Sequence, residues 1–351
     1  MLPIGFRFDT VGGTPWWGQD GRLAIMLNFP EPPREYASIF LEETDKSLPK
    51  KIDQRTRYAY FSTIAEGGKS LIKSCKDQHL SRFICYKTLR PEFAQDEVEQ
   101  QRLIREARVS AMLQHPNTVP TYELGRDLRG NPYFTMKLVH GYTLREVLDY
   151  RARYDLTQLM EVVMQIGYAL VYAHTHGVAH RDIKPENILV GPYGEVVLLD
   201  WGLAKVWGGQ SGQSGKPGAS VADTAGRQAI SVGDINITGK HKAQGSAWYM
   251  SPEQINQDPD IDYRTDVFSL GAVMYETLCG KPPAKGQKMH QIIDSVLREV
   301  PPPPSEVAPQ HVPRLLEQVA MRSLEKDPAN RFESMGDMVR ALRQDWQSDL
   351  I

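Results

Sequence analysis

The amino-acid sequence predicts an α+β fold in which a small β-rich lobe precedes a larger α-helical lobe. Between Tyr58 and about residue 140, short β-prone runs alternate with turn signals, and a single helical pattern interrupts them. Beyond residue 140 the patterns are mainly helical, and no long internal repeat is visible. A cleft between two such lobes is a natural site for a ligand.

The β-rich lobe is predicted to contain five strands and one helix. The strand patterns are YAYFSTI, SLIKSC, RFICYKTL, TVPTYEL and YFTMKLV. Before the last two strands, EVEQQRLIREARVSAML places apolar residues near helical spacing and ends at HPN, which stops a helix. This half of the chain is therefore a small sheet with one helix.

The second lobe begins with a long amphipathic helix, LTQLMEVVMQIGYALVYAHTHG, and its apolar residues recur near a 3.6-residue period. Two short strands follow, NILV and EVVLLD, on either side of the turn GPYG. Residues 207–220 are rich in Gly, Ser and Gln, which predicts a flexible segment. From Ser251 onward helices are expected, interrupted by the stiff PPPP of residues 301–304.

Composition excludes several classes of protein. The formal net charge of −2 gives no indication of nucleic-acid binding. The three cysteines form neither a metal-ligand spacing nor a disulfide framework, which fits a reducing, cytoplasmic setting. No apolar run approaches the roughly 20 residues of a membrane span, and we expect no signal peptide. Residues 1–57 mix Gly, Pro and Trp and are interpreted as an extension of unknown role. Three alternatives stay open: docking on a lobe, binding a partner, or a poorly ordered tail.

One stretch of the β-rich lobe has two interpretations. Residues 64–73 read IAEGGKSLIK, with two adjacent glycines between apolar segments. A hairpin turn needs glycine for positive φ, whereas a phosphate-binding loop needs glycine for close approach of the backbone to the anion. Taken alone, the stretch leaves both interpretations open.

Two motifs in the second lobe together indicate a function. HRDIKPENIL, at residues 180–189, presents Asp182, Lys184 and Asn187 on a loop, and LLDWG at 198–202 places Asp200 after an apolar run. Their order and spacing resemble the H-R-D-x-x-x-x-N and D-F-G motifs of protein kinase catalytic domains. The lysine two residues after Asp182 resembles the pattern of serine/threonine kinases. The sequence around this motif resembles that of bacterial eukaryotic-like kinases.

The resemblance implies a bilobal protein-kinase-like fold with an N-lobe at 58–140, a C-lobe at 141–351 and an activation segment at 200–253. It implies ATP and Mg²⁺ as cofactors, with Mn²⁺ as an alternative metal. Asp182 would orient and deprotonate the substrate hydroxyl, and Lys184 would neutralise charge on the transferred phosphoryl group. Asp200 and Asn187 would hold the metal, while His180 would support the loop.

The remaining ATP-binding residues follow from the same resemblance. In FICYK, Lys87 would contact the phosphates and pair with Glu106 of the first helix, and Cys85 would lie in the ceiling of the adenine pocket. Ile72 and Leu189 would sandwich the adenine, beside the gatekeeper Met136 and the hinge residues Lys137 and Val139.

The stretch IAEGGKSLIK then falls where G-x-G-x-x-G-x-V belongs and is predicted to be both hairpin and phosphate cover. Ala65, Gly67 and Ser70 take the three glycine positions, with Glu66 and Gly68 between them and Lys69 as a cation at the tip. Because Ala65 and Ser70 carry a Cβ, we expect a stiffer loop and weaker ATP binding.

Three further residues have architectural roles in the family. Glu253, at the end of QGSAWYMSPEQ, would pair with Arg331, and Asp266 would brace the catalytic loop.

The long activation segment, with Arg181 beside Asp182, predicts autophosphorylation at Thr238, or at Thr224 or Ser231, through self-association of the chain. A merely flexible insert is the alternative.

Two other functions compete with an active kinase that phosphorylates Ser and Thr of proteins. A pseudokinase would bind nucleotide as a scaffold with little turnover, because of the altered glycine-rich loop. A phosphotransferase for small molecules fits poorly, because SPE closes an activation segment of the kind that presents peptides.

Trp201, where phenylalanine is usual, predicts altered packing without loss of metal binding.

Overall fold

A computed structural model describes residues 44, 45, 47, 56–207 and 246–344. The N-lobe is built on a five-stranded antiparallel sheet with the order β1-β2-β3-β5-β4. Its strands are β1 Tyr58–Glu66, β2 Ser70–Asp77, β3 Arg82–Leu89, β4 Thr121–Arg126 and β5 Pro132–Lys137. The hairpins between β1, β2 and β3 are tight, so the first three strands pair in sequence order.

Helix α1, Glu97–Met112, packs against β3, β4 and β5. Asp96 begins it by accepting hydrogen bonds from the N–H groups of Val98 and Glu99, which satisfies two of the free donors at a helix start. Its apolar face buries Leu103 and Ala107 against strand residues of the sheet. This packing fixes the helix that carries Glu106 beside the strand that carries Lys87.

The two faces of the sheet differ in character. The outer face holds an aromatic cluster in which the rings of Tyr86 and Tyr133 stack at 4.4 Å and that of Tyr58 meets both edge-on. Because side chains alternate along a strand, the neighbours of Tyr86 on β3, Cys85 and Lys87, lie on the opposite face. That opposite face therefore lines the cleft.

The C-lobe is mainly helical, with two small sheets of order β6-β8-β9 and β10-β7. Its short strands are β6 Tyr142–Thr143, β7 Val178–Ala179, β8 Ile188–Val190, β9 Val196–Leu198 and β10 Lys205–Val206. The helices are α2 Leu144–Asp149, α3 Leu156–Thr175, α4 Pro252–Ile255, α5 Arg264–Cys279, α6 Met289–Arg298, α7 Pro304–Val307, α8 Arg314–Ser323 and α9 Met335–Leu342.

Helix α5 is the centre of the C-lobe, since every residue from Thr265 to Cys279 is buried. It crosses α8 so closely that a Cβ on Gly271 would lie 2.4 Å from the Cβ of Ser323, and only glycine fits there. Helix α3 is long and apolar enough to meet a length-and-composition criterion for a membrane span. Ten of its residues are nevertheless buried in the protein, which makes it a core helix of the lobe.

The observed fold is the predicted bilobal α+β architecture. One boundary differs: the strand pattern EVVLLD ends at Leu198, because Asp200 takes a φ of 61° that no strand accommodates. Several predicted features lie outside the described residues. These are most of the extension at 1–57, the greater part of the flexible segment, and the phosphorylation candidates Thr224, Ser231 and Thr238.

Candidate active site

The loop between β7 and β8 brings Asp182, Lys184 and Asn187 together. The Lys184 ammonium donates to both carboxylate oxygens of Asp182, at 2.9 and 2.7 Å. The side-chain amide of Asn187 donates to Oδ2 of Asp182 at 2.9 Å and to its carbonyl at 2.8 Å. Burial opposes the charged form of Lys184, but the Asp182 carboxylate outweighs it and raises the lysine pKa. The Asp182 carboxylate is therefore held in one orientation with a cation against it.

The base of this loop is Asp266 on α5, which is fully buried. Its carboxylate accepts the N–H groups of His180 at 2.8 Å and Arg181 at 2.9 Å, and the His174 ring at 2.9 Å. Burial alone would raise the pKa of Asp266, yet the bond from His174 and the neighbouring donors lower it. Since Arg181 has a φ of 65°, these bonds hold a backbone conformation that the loop would not adopt unaided.

His180 connects the catalytic loop to the segment before Asp200. Its Nε2 lies 2.9 Å from the Leu199 carbonyl, and its Nδ1 accepts the N–H of Asp182 at 3.2 Å. With Nδ1 as acceptor and Nε2 as donor, this geometry assigns the neutral Nε2–H tautomer. His180 therefore supports the loop, and it lies behind the Asp182 carboxylate.

Asp200 follows β9 in a tight turn, with the Gly202 N–H donating to its Oδ1 at 3.2 Å. The side chain is 48% exposed, and its Oδ1 lies 3.7 Å from the Lys87 ammonium. Lys87 lowers the pKa of Asp200, so the carboxylate is ionised across the neutral range. An exposed, ionised carboxylate beside an asparagine offers the hard oxygen donors that Mg²⁺ prefers.

This donor set fits a metal carried by phosphates. Within the described ranges no three His, Cys, Asp or Glu side chains converge as a cation site. Mg²⁺ typically takes one or two carboxylates plus substrate phosphates and water, in place of a cage made of protein alone. Asp200 and Asn187 are sufficient for that mode of binding.

Lys87 lies between two acidic groups in the cleft. Its ammonium is 2.5 Å from Oε1 of Glu106, and the two side chains are 6% and 10% exposed. Burial opposes the charge on Lys87, but Asp200 and Glu106 outweigh burial and raise the lysine pKa. Burial raises the pKa of Glu106, and the Lys87 ammonium opposes that rise. The helix and the sheet are thus held together across the cleft.

Strand register brings most of the predicted adenine pocket onto one face. Ala65 pairs with Ile72, Ile72 with Lys87, and Cys85 with Met136. Leu189 lies half-buried on β8 of the other lobe. Ile72, Cys85 and Met136 therefore share one face of the N-lobe sheet, and Leu189 lies on the other lobe.

The predicted hinge residues lie at the end of β5 and just after it. The N–H of Lys137 donates to the Pro120 carbonyl at 3.0 Å. Val139 lies half-buried after the end of β5.

The glycine-rich stretch is a hairpin closed by the Gly67 N–H donating to the Ser70 carbonyl at 2.8 Å. A Cβ on Gly67 would lie 2.7 Å from the Ser70 hydroxyl oxygen, so a side chain at this position would force the Ser70 side chain to move. Lys69, the cation at the tip of the hairpin, has an acidic partner. Its ammonium is bound at 2.7 Å to Glu99 of helix α1.

The architectural pair is buried at the far side of the C-lobe. Arg331 and Glu253 form a two-pronged ion pair at 2.6 and 2.8 Å, and the Arg331 side chain has no solvent exposure. Arg331 also donates to the carbonyls of Glu325, Lys326 and Arg264. This pair secures the end of the activation segment and lies away from the chemistry.

Sequence reasoning missed two contacts near the site. Arg105 on α1 lies close enough to Arg181 to oppose its charge, while burial is the main cause that lowers the Arg181 pKa. Ser246 accepts a bond from the Lys184 ammonium at 2.8 Å, which ties the activation segment to the catalytic loop. Neither contact has a local sequence signal.

Trp201 is 3% exposed and meets the His180 ring edge-on at 4.6 Å.

Comparison with known proteins gives the family. The model of the protein kinase domain matches residues 58–346. The serine/threonine-protein kinase PknD of Mycobacterium tuberculosis is 30% identical over 295 residues, 84% of this chain and 40% of PknD. PknB of Mycolicibacterium smegmatis is 32% identical, over 80% of this chain and 42% of its own length.

A probable serine/threonine-protein kinase of Streptomyces coelicolor, SCO3848, is 33% identical over 80% of this chain and 39% of its own length. The chain thus spans about 40% of the length of these curated relatives. The family match covers the sheet, the catalytic loop, the Asp200 turn and the C-lobe helices, and the chain belongs to the protein kinase domain family.

Proposed function

We propose that the chain is a serine/threonine protein kinase that transfers the γ-phosphate of ATP to hydroxyl groups of proteins. The single observation that carries the proposal is the connected polar site: Lys87 with Glu106 and Asp200 on one side, and Asp182 with Lys184 and Asn187 on the other. The named relatives are serine/threonine-protein kinases, which supports the same substrate class.

Each residue has a defined task in this proposal. Lys87 binds the α/β-phosphates, with Glu106 keeping it in place. Asp200 and Asn187 hold Mg²⁺, which neutralises phosphate charge when it is bound. Asp182 accepts a hydrogen bond from the substrate hydroxyl and takes its proton, and Lys184 offsets the negative charge that develops nearby.

Adenine recognition is assigned to the cleft walls. Ile72 and Cys85 would lie above the ring, Leu189 below it and Met136 at the back of the pocket, which the shared sheet face of Ile72, Cys85 and Met136 supports. The backbone of Lys137 and Val139 would supply the polar contacts that orient a base in an otherwise apolar pocket.

We also propose regulation by autophosphorylation of the activation segment, with Thr238 as the first candidate and Thr224 and Ser231 as the others. Arg181 supports this assignment, because its side chain donates to the Leu203 carbonyl at 2.8 Å and, among the described residues, forms no ion pair with a carboxylate. With Arg105 nearby, it offers positive charge to a phosphate. Self-association for phosphorylation in trans and a cytoplasmic location belong to the same proposal.

The test is phosphoryl transfer from Mg·ATP to a generic basic protein by wild type, Lys87→Ala and Asp200→Ala. The kinase proposal expects transfer by wild type and loss of at least about 100-fold in both variants. Equal, negligible transfer by all three with retained nucleotide binding would identify the chain as a pseudokinase. Mass spectrometry of active enzyme that finds no phosphate between residues 203 and 250 would reject the autophosphorylation sites.

A further inference from the structure

An ion pair links the phosphate-covering hairpin to helix α1. The Lys69 ammonium lies 2.7 Å from Oε1 of Glu99, across 30 residues of sequence. The Lys69 side chain is 27% exposed, whereas that of Glu99 is only 8% exposed. A carboxylate this deeply buried needs a cation as its partner. Breaking this pair therefore costs more free energy than breaking a solvent-exposed pair.

Glu99 has a second cation, which does not involve the hairpin. Arg102, one helical turn later on α1, donates to the same Oε1 at 2.6 Å. Of the two cations bound to Glu99, Lys69 belongs to the hairpin and Arg102 belongs to α1 itself. Replacing Arg102 is therefore a control that leaves the link between the hairpin and α1 in place. The Lys69 backbone is held separately, since its carbonyl accepts the Arg90 N–H at 2.9 Å.

Glu99 and Glu106 are seven residues apart on α1, about two turns and roughly 10 Å along the same helix face. Glu106 binds Lys87 on β3, and Lys87 pairs in register with Ile72, three residues after Lys69. The helix is thus attached to the sheet at two points, once in the cleft and once at the hairpin. A displacement of α1 that separates Glu106 from Lys87 also pulls on the hairpin.

We propose that Lys69 is a positioning residue for the nucleotide phosphates and acts through Glu99. The ion pair fixes the position of the hairpin, residues 66–70, relative to α1. It takes over the positioning role of the two glycines that Ala65 and Ser70 replace. The hairpin then covers the phosphates only when Glu106 is also placed to bind Lys87. This inference rests on the proposed kinase function, because it takes phosphates as the ligand of the hairpin.

The first experiment tests the attachment without nucleotide. Amide hydrogen exchange of residues 66–70 is compared in wild type, Lys69→Met, Glu99→Gln and the double variant. We expect exchange to rise at least threefold in each single variant and no further in the double variant. Exchange unchanged in Glu99→Gln would overturn the inference, whether or not the chain has kinase activity.

The second experiment measures the dissociation constants of Mg·AMP-PNP and of adenosine, which has no phosphates. Lys69→Met and Glu99→Gln should each weaken AMP-PNP binding about three- to tenfold, with the same loss in the double variant and adenosine binding unchanged within twofold. Lys69→Arg keeps the cation and should retain the wild-type value. Lys73 lies on β2 with its ammonium 5.9 Å from the centroid of the Phe61 ring, so it does not take part in the pair with Glu99. Arg102→Met and Lys73→Met should leave AMP-PNP binding unchanged.

Two results would overturn the positioning role. A loss in Lys69→Met with none in Glu99→Gln would mean that Lys69 contacts the phosphates directly. An equal loss for adenosine would mean that the pair only stabilises the N-lobe. Wild type that binds AMP-PNP but transfers no phosphate would refute the proposed function alone, because both measurements here are independent of transfer.

Discussion

Replacing Arg331 with methionine should destabilise the C-lobe by about 4 kcal/mol, because it leaves a buried carboxylate without its cation. Arg331 makes five hydrogen bonds, two of them to Glu253, and its side chain has no solvent exposure. The Glu253 side chain is itself only 8% exposed. Removing one partner of a buried pair typically costs about 3–5 kcal/mol. The three carbonyls that also lose donors place the expected value inside that range rather than below it.

The assay is equilibrium urea unfolding followed by far-UV circular dichroism. Arg340→Met is the matched control, since Arg340 pairs with Asp337 while 73% exposed, and it should change the unfolding free energy by less than about 0.5 kcal/mol. Glu253→Gln in the Arg331→Met background should recover part of the loss, because it removes the stranded charge. A loss of less than about 1 kcal/mol in Arg331→Met, or an equal loss in the control, would refute the reasoning.

Four further predictions concern the site. Burial raises the pKa of Glu106 from its ordinary value of 4.5 to about 7, so its protonated form stabilises the fold below pH 4.5 and that contribution is lost as the pH rises through 7. Relative to Glu106→Gln, wild type should therefore lose about 2 kcal/mol of unfolding free energy between pH 5 and 8, and parallel curves would contradict this. Trp201→Phe removes a buried indole N–H that has no partner among the described residues, which offsets the lost packing; thermal unfolding should shift by the equivalent of less than about 1 kcal/mol, and transfer should persist. Asp182→Asn should reduce kcat by at least about 100-fold with the KM for ATP within threefold, whereas a KM effect alone would assign Asp182 to binding. Ala65→Gly with Ser70→Gly should lower the KM for ATP in initial-rate assays, and an unchanged or higher KM would reject the stiff-loop explanation.

The sequence was sufficient for the groups that sit in fixed local spacing. Asp182, Lys184 and Asn187 occur within six residues, and the chemistry of phosphoryl transfer requires those side-chain types on one loop. The strand patterns around Lys87 were equally clear, because a strand residue keeps its register with both neighbours. These features are encoded locally and survive substitutions such as Trp201 and Cys85.

The contacts that were missed join residues distant in sequence. The sequence identifies Lys69 as a cation at the hairpin tip, but nothing within the hairpin indicates its partner Glu99 on helix α1. Arg105 and Ser246 likewise gain their roles only when α1 and the activation segment pack near the catalytic loop.

The central claim is that the site around Asp182 and Asp200 transfers phosphate to serine or threonine. Its most direct test is phosphoamino-acid analysis of a protein substrate after incubation with γ-labelled Mg·ATP and wild type or Asp182→Asn. Label is expected in phosphoserine and phosphothreonine with wild type, and at least about 100-fold less with the variant. Label from wild type no greater than from Asp182→Asn, or label confined to phosphotyrosine, would contradict it.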